Sequence, residues 1–397
     1  MKRRNFLKNT GLASTSLFIP QFLNAFNQSI SNKSQDGKIL VVLQLSGGND
    51  GLNTIVPYRN DVYYKNRPTL GISKSEVLTI SDELGLNPAM EAFRALYDDG
   101  LVSIINSVGY PNPDRSHFRS MDIWHTASDS DEYLTSGWIG RYLDSQCVGC
   151  DQTLHALEVD DSLSLALKGE RYTGFAASNL QKLKRQADNR FLKAIADNTT
   201  DHEEENVAYL YKTLIDTQSS ADYLYQKSKV HESTVTYPQN PFAQDLKQIA
   251  ELITADTATK IYYAGMSGFD THANQKGAQT RLLKNYSDSV AAFVKDLKSN
   301  GLLEDVLILT FSEFGRRVQQ NGSGGTDHGT ANNVFLMGGN LRHAGFYNPA
   351  PNLLNLDKGD LIYDIDFRSI YATILEDWLT VSAAPILGKA FEGLRLI

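Results

Sequence analysis

No stretch of this 397-residue chain offers the roughly twenty consecutive apolar residues that a membrane-crossing helix needs, so a stable membrane span is not expected. Cysteine is almost missing, with only Cys147 and Cys150 present. In an oxidising compartment this CVGC pair either closes a small disulfide loop or stays as two thiols, and no partners for a redox or metal role are evident. Basic charge is short as well. The formal net charge of −8 argues against nucleic acid as a partner. Two common hydrolase signatures are also lacking, since there is neither a Gly-x-Ser-x-Gly elbow nor a Gly-Asp-Ser motif. The NGSGG run is not followed by the Lys-Ser or Lys-Thr of a phosphate-cradling loop.

What the chain does contain begins at its N-terminus. Arg3 and Arg4 in MKRRNFLK precede a mildly apolar run from Thr10 to Phe26 that Pro20 interrupts, the layout of a twin-arginine signal peptide. Residues 1–25 are therefore expected to direct export through the twin-arginine translocase and to be removed, with 26–37 a polar linker and 38–397 the folded domain. That route delivers a folded protein to the periplasm or the cell exterior.

Lys38 to Leu45 (KILVVLQL) is a nearly continuous apolar, β-branched run, suited to a strand buried on both faces, and it stops at SGGNDGLN. Val102–Ile105, KIYYAG, DVLILTF and VFLMGG read as further core strands. Between them, Phe242, Leu246, Ile249, Ala250 and Ile253 mark one helix face, and Leu283, Tyr286, Val290, Phe293 and Leu297 another, which Asn300-Gly301 ends. The stretch from 151 to about 239 is charged and Tyr-rich, and is expected to be an inserted helical subdomain. DIDFRSIYATILEDWLTV reads as a packing helix. The alternation predicts an α/β fold: a mostly parallel sheet with helices on both faces.

The polar residues fall where such a sheet places ligands. Asp50, Asp270 with His272, Glu313, and Asp327 with His328 lie just beyond or beside strands, and the carboxyl ends of strands form the binding crevice of open α/β sheets. Carboxylate oxygen plus neutral imidazole nitrogen suits a divalent metal such as zinc or manganese, and one or two such ions would clamp a tetrahedral oxyanion. The chemistry expected is hydrolysis of a phosphate or sulfate ester of a small molecule or glycan.

GGNDGLN, FDTHANQ, TFSEFGRR and GTDHG, in that order, make the chain resemble the alkaline phosphatase superfamily, with its cofactor-independent phosphoglycerate mutases and sulfatases, and in particular a twin-arginine-exported branch of unknown function. The resemblance implies that Asp50, or Asn49 in its place, is the first metal-binding aspartate. It makes Ser116 in SHFRSMDI the nucleophile, with Asp122 and Ile123 at the spacing of the mutases' asparagine and isoleucine. His272 and His328 become metal ligands. Asp270 departs from the pattern, because the family aspartate falls at the position of Gly268. Glu313 and Phe314 replace an Asp-His or Asp-Asn pair, which weakens a second metal site or recruits Asp327 to it. Arg316 or Arg317 would clamp the anion.

The residues themselves leave alternatives open. Ser116 also suits the cap of a helix that begins near His117, and Asp270 the cap of the turn that follows it. His117, His125 and Asp114 surround Ser116 as candidates for substrate contact, whereas His155, His202 and His231 are expected in solvent. A serine esterase of the GDS type is the rival enzyme, because LSGGND resembles its Gly-x-Asn-Asp motif, although in the wrong order. A non-catalytic binding protein on the same fold is the other rival.

Overall fold

The apolar run after Lys38 forms β1 (Ile39–Leu45), and its two faces explain why it lacks alternation. Val41, Leu43 and Leu45 enter one core cluster with Phe93, Leu246, Ile249, Leu283, Tyr286 and Phe293. Leu40 and Val42 enter a second cluster with Ile123, Trp124, Trp138, Ile370 and Tyr371. The first cluster is supplied by α1 (Glu91–Asp98), α4 (Pro241–Thr254) and α5 (Gln275–Ser299). The second is supplied by α2 (His117–Thr126), α3 (Trp138–Gln146) and α6 (Phe367–Thr373). The sheet therefore has helices on both faces, and each strand side chain leaves water whichever way it points.

This computed structural model describes residues 37–146, 155–189 and 218–397, and from Lys38 onward they belong to one compact unit. The signal segment with Arg3 and Arg4, Cys147, Cys150 and His202 lie outside the described residues.

The central sheet contains nine strands. After β1 come β2 (Val102–Gly109), β3 (Ala156–Glu158), β4 (Phe175–Ala176), β5 (Ile261–Met266) and β6 (Val306–Phe311). A two-stranded ribbon of β7 (Arg316–Gln320) and β8 (Thr326–His328) follows, and the sheet resumes with β9 (Asn332–Met337), β10 (Gly345–Phe346) and β11 (Ile365–Asp366). The order is β10-β2-β9-β6-β1-β5-β3-β4, with β11 on β2. β1 pairs in parallel with β5 and β6, with Val41 opposite both Tyr262 and Ile308. Among the described strands of this sheet, only β9 runs against its neighbours.

The helix stripes fall where their spacing predicts. In α4, Asn240 accepts the Ala243 N–H, Pro241 takes the first turn, and Phe242, Leu246, Ile249, Ala250 and Ile253 are buried. The long α5 ends at Asn300, and Gly301 follows with φ +68°, the left-handed stop that glycine allows. Two strands, β3 and β4, fall inside the 151–239 stretch expected to be a helical insertion. Their apolar runs are only two or three residues long, too short for periodicity to separate from helix; pairing of β3 with β5, and of β4 with β3, decides them. His155, expected in solvent, is half-buried beside β5, with its carbonyl accepting the Lys260 N–H.

Candidate metal centre and nucleophile

Topology brings the polar segments to one edge. β1, β5 and β6 are parallel neighbours, and β2 runs the same way because β9 is antiparallel to both β2 and β6. Their carboxyl ends therefore share an edge, from which depart the segments carrying Gly47, Asp270, Glu313 and Ser116. The ribbon places His328 opposite Arg316. Gly47 makes the closeness possible: at φ +117° a Cβ would sit 2.4 Å from the Asp270 backbone nitrogen.

At the centre lies one oxygen. Asp270 Oδ1 is 3.4 Å from His117 Nε2, 3.1 Å from His272 Nε2 and 3.2 Å from His328 Nε2. His272 Nε2 and His328 Nε2 are 2.9 Å apart. Each ring turns its other nitrogen to an acceptor oxygen. His117 Nδ1 is 2.9 Å from Glu313 Oε1, His272 Nδ1 is 3.3 Å from Asp327 Oδ1, and His328 Nδ1 is 2.7 Å from the Arg115 carbonyl. An imidazole facing such an oxygen holds its proton on Nδ1, so in the neutral rings all three Nε2 lone pairs point toward Asp270. Carboxylates and carbonyls behind the ring orient histidine metal ligands in this way. The Phe314 ring holds two of them in place, with centroids 4.9 Å from His117 and 4.7 Å from His328.

The charges around the centre shift its groups in different directions. Partial burial works to raise the Asp270 pKa, but the Arg316 guanidinium, through its hydrogen bond and its charge, outweighs it and the carboxyl is held at about 2. Burial pushes His328 below its ordinary value, toward the neutral form a metal requires. His117 is raised, chiefly by its hydrogen bond to Glu313, and its Nε2 is buried without a hydrogen-bond partner. Asp327 is lowered, first by the hydrogen bond from Asn321. Lone pairs 2.9 Å apart repel unless a proton or a cation lies between them. Donor atoms of His117, Asp270 and His328 all lie within 4.8 Å of one another. Nitrogen-rich donors with one carboxylate fit zinc or manganese better than magnesium or calcium, which prefer oxygen.

The structure thus gathers Asp270, His272 and His328, and adds His117, which sequence reasoning placed near substrate. The signal for His117 was its position beside Ser116 in SHFRS, visible but ambiguous. Glu313 and Asp327 stand behind imidazoles instead of facing the centre. Glu313 also accepts the Gly47 N–H at 2.8 Å. Asp50 belongs elsewhere: its buried carboxylate pairs with Arg67 at 2.5 Å and accepts from Gln275 Nε2, so its counter-cation is a guanidinium.

Arg316, expected as an anion clamp, has its guanidinium engaged within the protein. It is buried and donates to the carbonyls of Gly47, Gly48, Phe269 and Thr326 and to Asp270, knitting four segments together. Arg317 reaches Asp360 at 3.4 Å. Asn49, the candidate oxyanion donor of the esterase reading, is buried and bonded to Thr54. His125 is buried against Tyr263 and Gln44, away from solvent. Ser116 occupies the cap position of α2, yet its hydroxyl makes no capping bond and is exposed.

A family model described as a protein of unknown function, DUF1501, matches residues 37–375. No curated protein matches the chain. Among solved structures, the periplasmic domain of EcEptC from Escherichia coli in complex with Zn is similar at 12% identity, covering 78% of this chain and 74% of that one with a TM-score of 0.36. The PsFucS1 sulfatase from Pseudoalteromonas is similar at 13% identity over 92% and 72% of the two chains, TM-score 0.38. A protein in the alkaline phosphatase superfamily from Vibrio parahaemolyticus is similar at 8% identity over 89% and 69%, TM-score 0.37.

Proposed function

The chain belongs to the DUF1501 family, a family of proteins of unknown function, and from that premise we propose that it is an exported metal-dependent hydrolase of phosphate esters. The observation that carries this reading is the convergence of three imidazole Nε2 atoms on Asp270 Oδ1, one residue along the chain from an exposed, uncapped serine. His117, Asp270, His272 and His328 would hold the ion. A zinc or manganese ion supplies there the positive charge that lowers a hydroxyl's pKa and steadies a tetrahedral oxyanion. Ser116 Oγ, at the N-terminus of α2, forms a bond to phosphorus as the bond from phosphorus to the leaving alcohol breaks, and water then releases phosphate from the serine. Sulfate esters fit less well, because SHFRS lacks the Cys/Ser-x-Pro/Ala-x-Arg context of formylglycine sulfatases.

The test is metal analysis by mass spectrometry together with turnover of p-nitrophenyl phosphate. His328→Ala and His272→Ala are expected to lose the ion and the activity, and Ser116→Ala to keep the ion and lose activity by at least about a hundredfold. Unchanged metal content in both histidine variants would sink the reading. Export rests on Arg3 and Arg4 and on the apolar run that follows. Replacing both arginines with lysine should leave precursor in the cytoplasm, and undiminished export of that variant would remove this part. No helix among the described residues is long and apolar enough to cross a membrane.

A further inference from the structure

A cavity of about 190 Å³ opens beside the imidazoles, and among the described residues no lysine, arginine or histidine contributes to its wall. Phe314 is the shared partition, since its ring lies against His117 and His328 and also lines the cavity. Tyr110, Trp124 and Tyr363 add three more aromatic side chains. Asp114 and Asp357 are carboxylates of the same wall, and Asp114 Oδ1 accepts the Ser116 N–H at 2.6 Å, which ties the cavity to the candidate nucleophile. The nearby guanidinium groups are engaged elsewhere: Arg115 and Arg317 both pair with the buried Asp360.

Each feature constrains the occupant. Aromatic faces together with carboxylates attract a cation and repel an anion. The volume, below that of drug-sized pockets, admits only a small group. Trp124, 2% exposed and stacked between Phe311 and Phe367, closes the wall with a ring edge.

We propose that this cavity receives a small organic cation carrying an oxygen, an alkanolammonium group, as the alcohol portion of the substrate. The inference rests on the phosphate-ester reading, because it assigns the alcohol that the reaction releases. The ammonium lies among Phe314, Tyr110 and Tyr363 with Asp357 as counter-charge.

Choline contains no phosphate, so its binding is measured without turnover. Titration calorimetry of the full protein should show saturable binding of choline, and binding about tenfold weaker for 3,3-dimethyl-1-butanol, an uncharged molecule of the same shape. Asp357 is exposed, so Asp357→Asn should fold normally and weaken choline several-fold, with thermal unfolding as the control. Equal binding of choline and the uncharged alcohol, or no choline binding, overturns the inference. Turnover of p-nitrophenyl phosphate without a choline preference defeats this inference alone, and choline binding without turnover or bound metal defeats the hydrolase reading instead.

Discussion

Single side chains at this centre act through the position of one proton each. Glu313 is buried at the sheet edge and receives both the Gly47 N–H and His117 Nδ1, so its charge keeps the His117 lone pair on the side that faces Asp270. Glu313→Gln preserves shape but removes the charge, and the amide can turn a donor toward the ring. Zinc affinity measured by competition with a chromogenic chelator should fall about 10–100-fold, the usual loss when the group behind a ligating histidine is replaced. An unchanged affinity would mean that His117 is not a ligand. Phe314 stands where the resemblance would put a nitrogen ligand, and its ring packs two imidazoles in place.

Among the elements, the turn after β1 is held by charge. Asp50 is 1% exposed, and Arg67 joins it to Asn53 and to the carbonyls of Arg317 and Val318 in the ribbon. Removing one partner of a buried pair strands the other charge, which costs about 3–5 kcal/mol. Arg67→Met should lose stability of that order in urea unfolding. Asp50→Asn should leave the metal content unchanged, because the counter-charge of Asp50 is Arg67 and not the ion. Loss of the metal in Asp50→Asn would return Asp50 to the ligand set. The helices behave differently, since their stability comes from apolar stripes and caps that a short window of sequence already displays.

Across the whole molecule, acid sensitivity has an identifiable source. Burial lowers His125 from 6.5 to about 4, so between those pH values the unfolded chain takes up a proton that the native protein refuses. The stability present above pH 6.5 is therefore lost as pH falls toward 4, by about 3 kcal/mol from this group. His125→Gln should unfold with a pH dependence flatter by that amount in denaturant titrations at pH 7 and pH 4. An identical slope in both proteins would place the acid sensitivity elsewhere. The strand runs and the two helix stripes were legible in the sequence because periodicity and capping act over a few residues, and an apolar run buried on both faces implies a parallel sheet. Placing Asp270, His272, Glu313 and His328 at strand ends was legible for the same reason. Which of them converge was not. Glu313 meets His117 across 196 residues and His272 meets His328 across 56, while Asp50 turns to an arginine 17 residues away. By itself the sequence determined the five core strands of the sheet, its main covering helices and the edge where polar groups collect. Only the tertiary structure decided ligand, supporting acceptor and ion-pair partner, because those roles depend on ångström-scale distances between segments that no local pattern encodes.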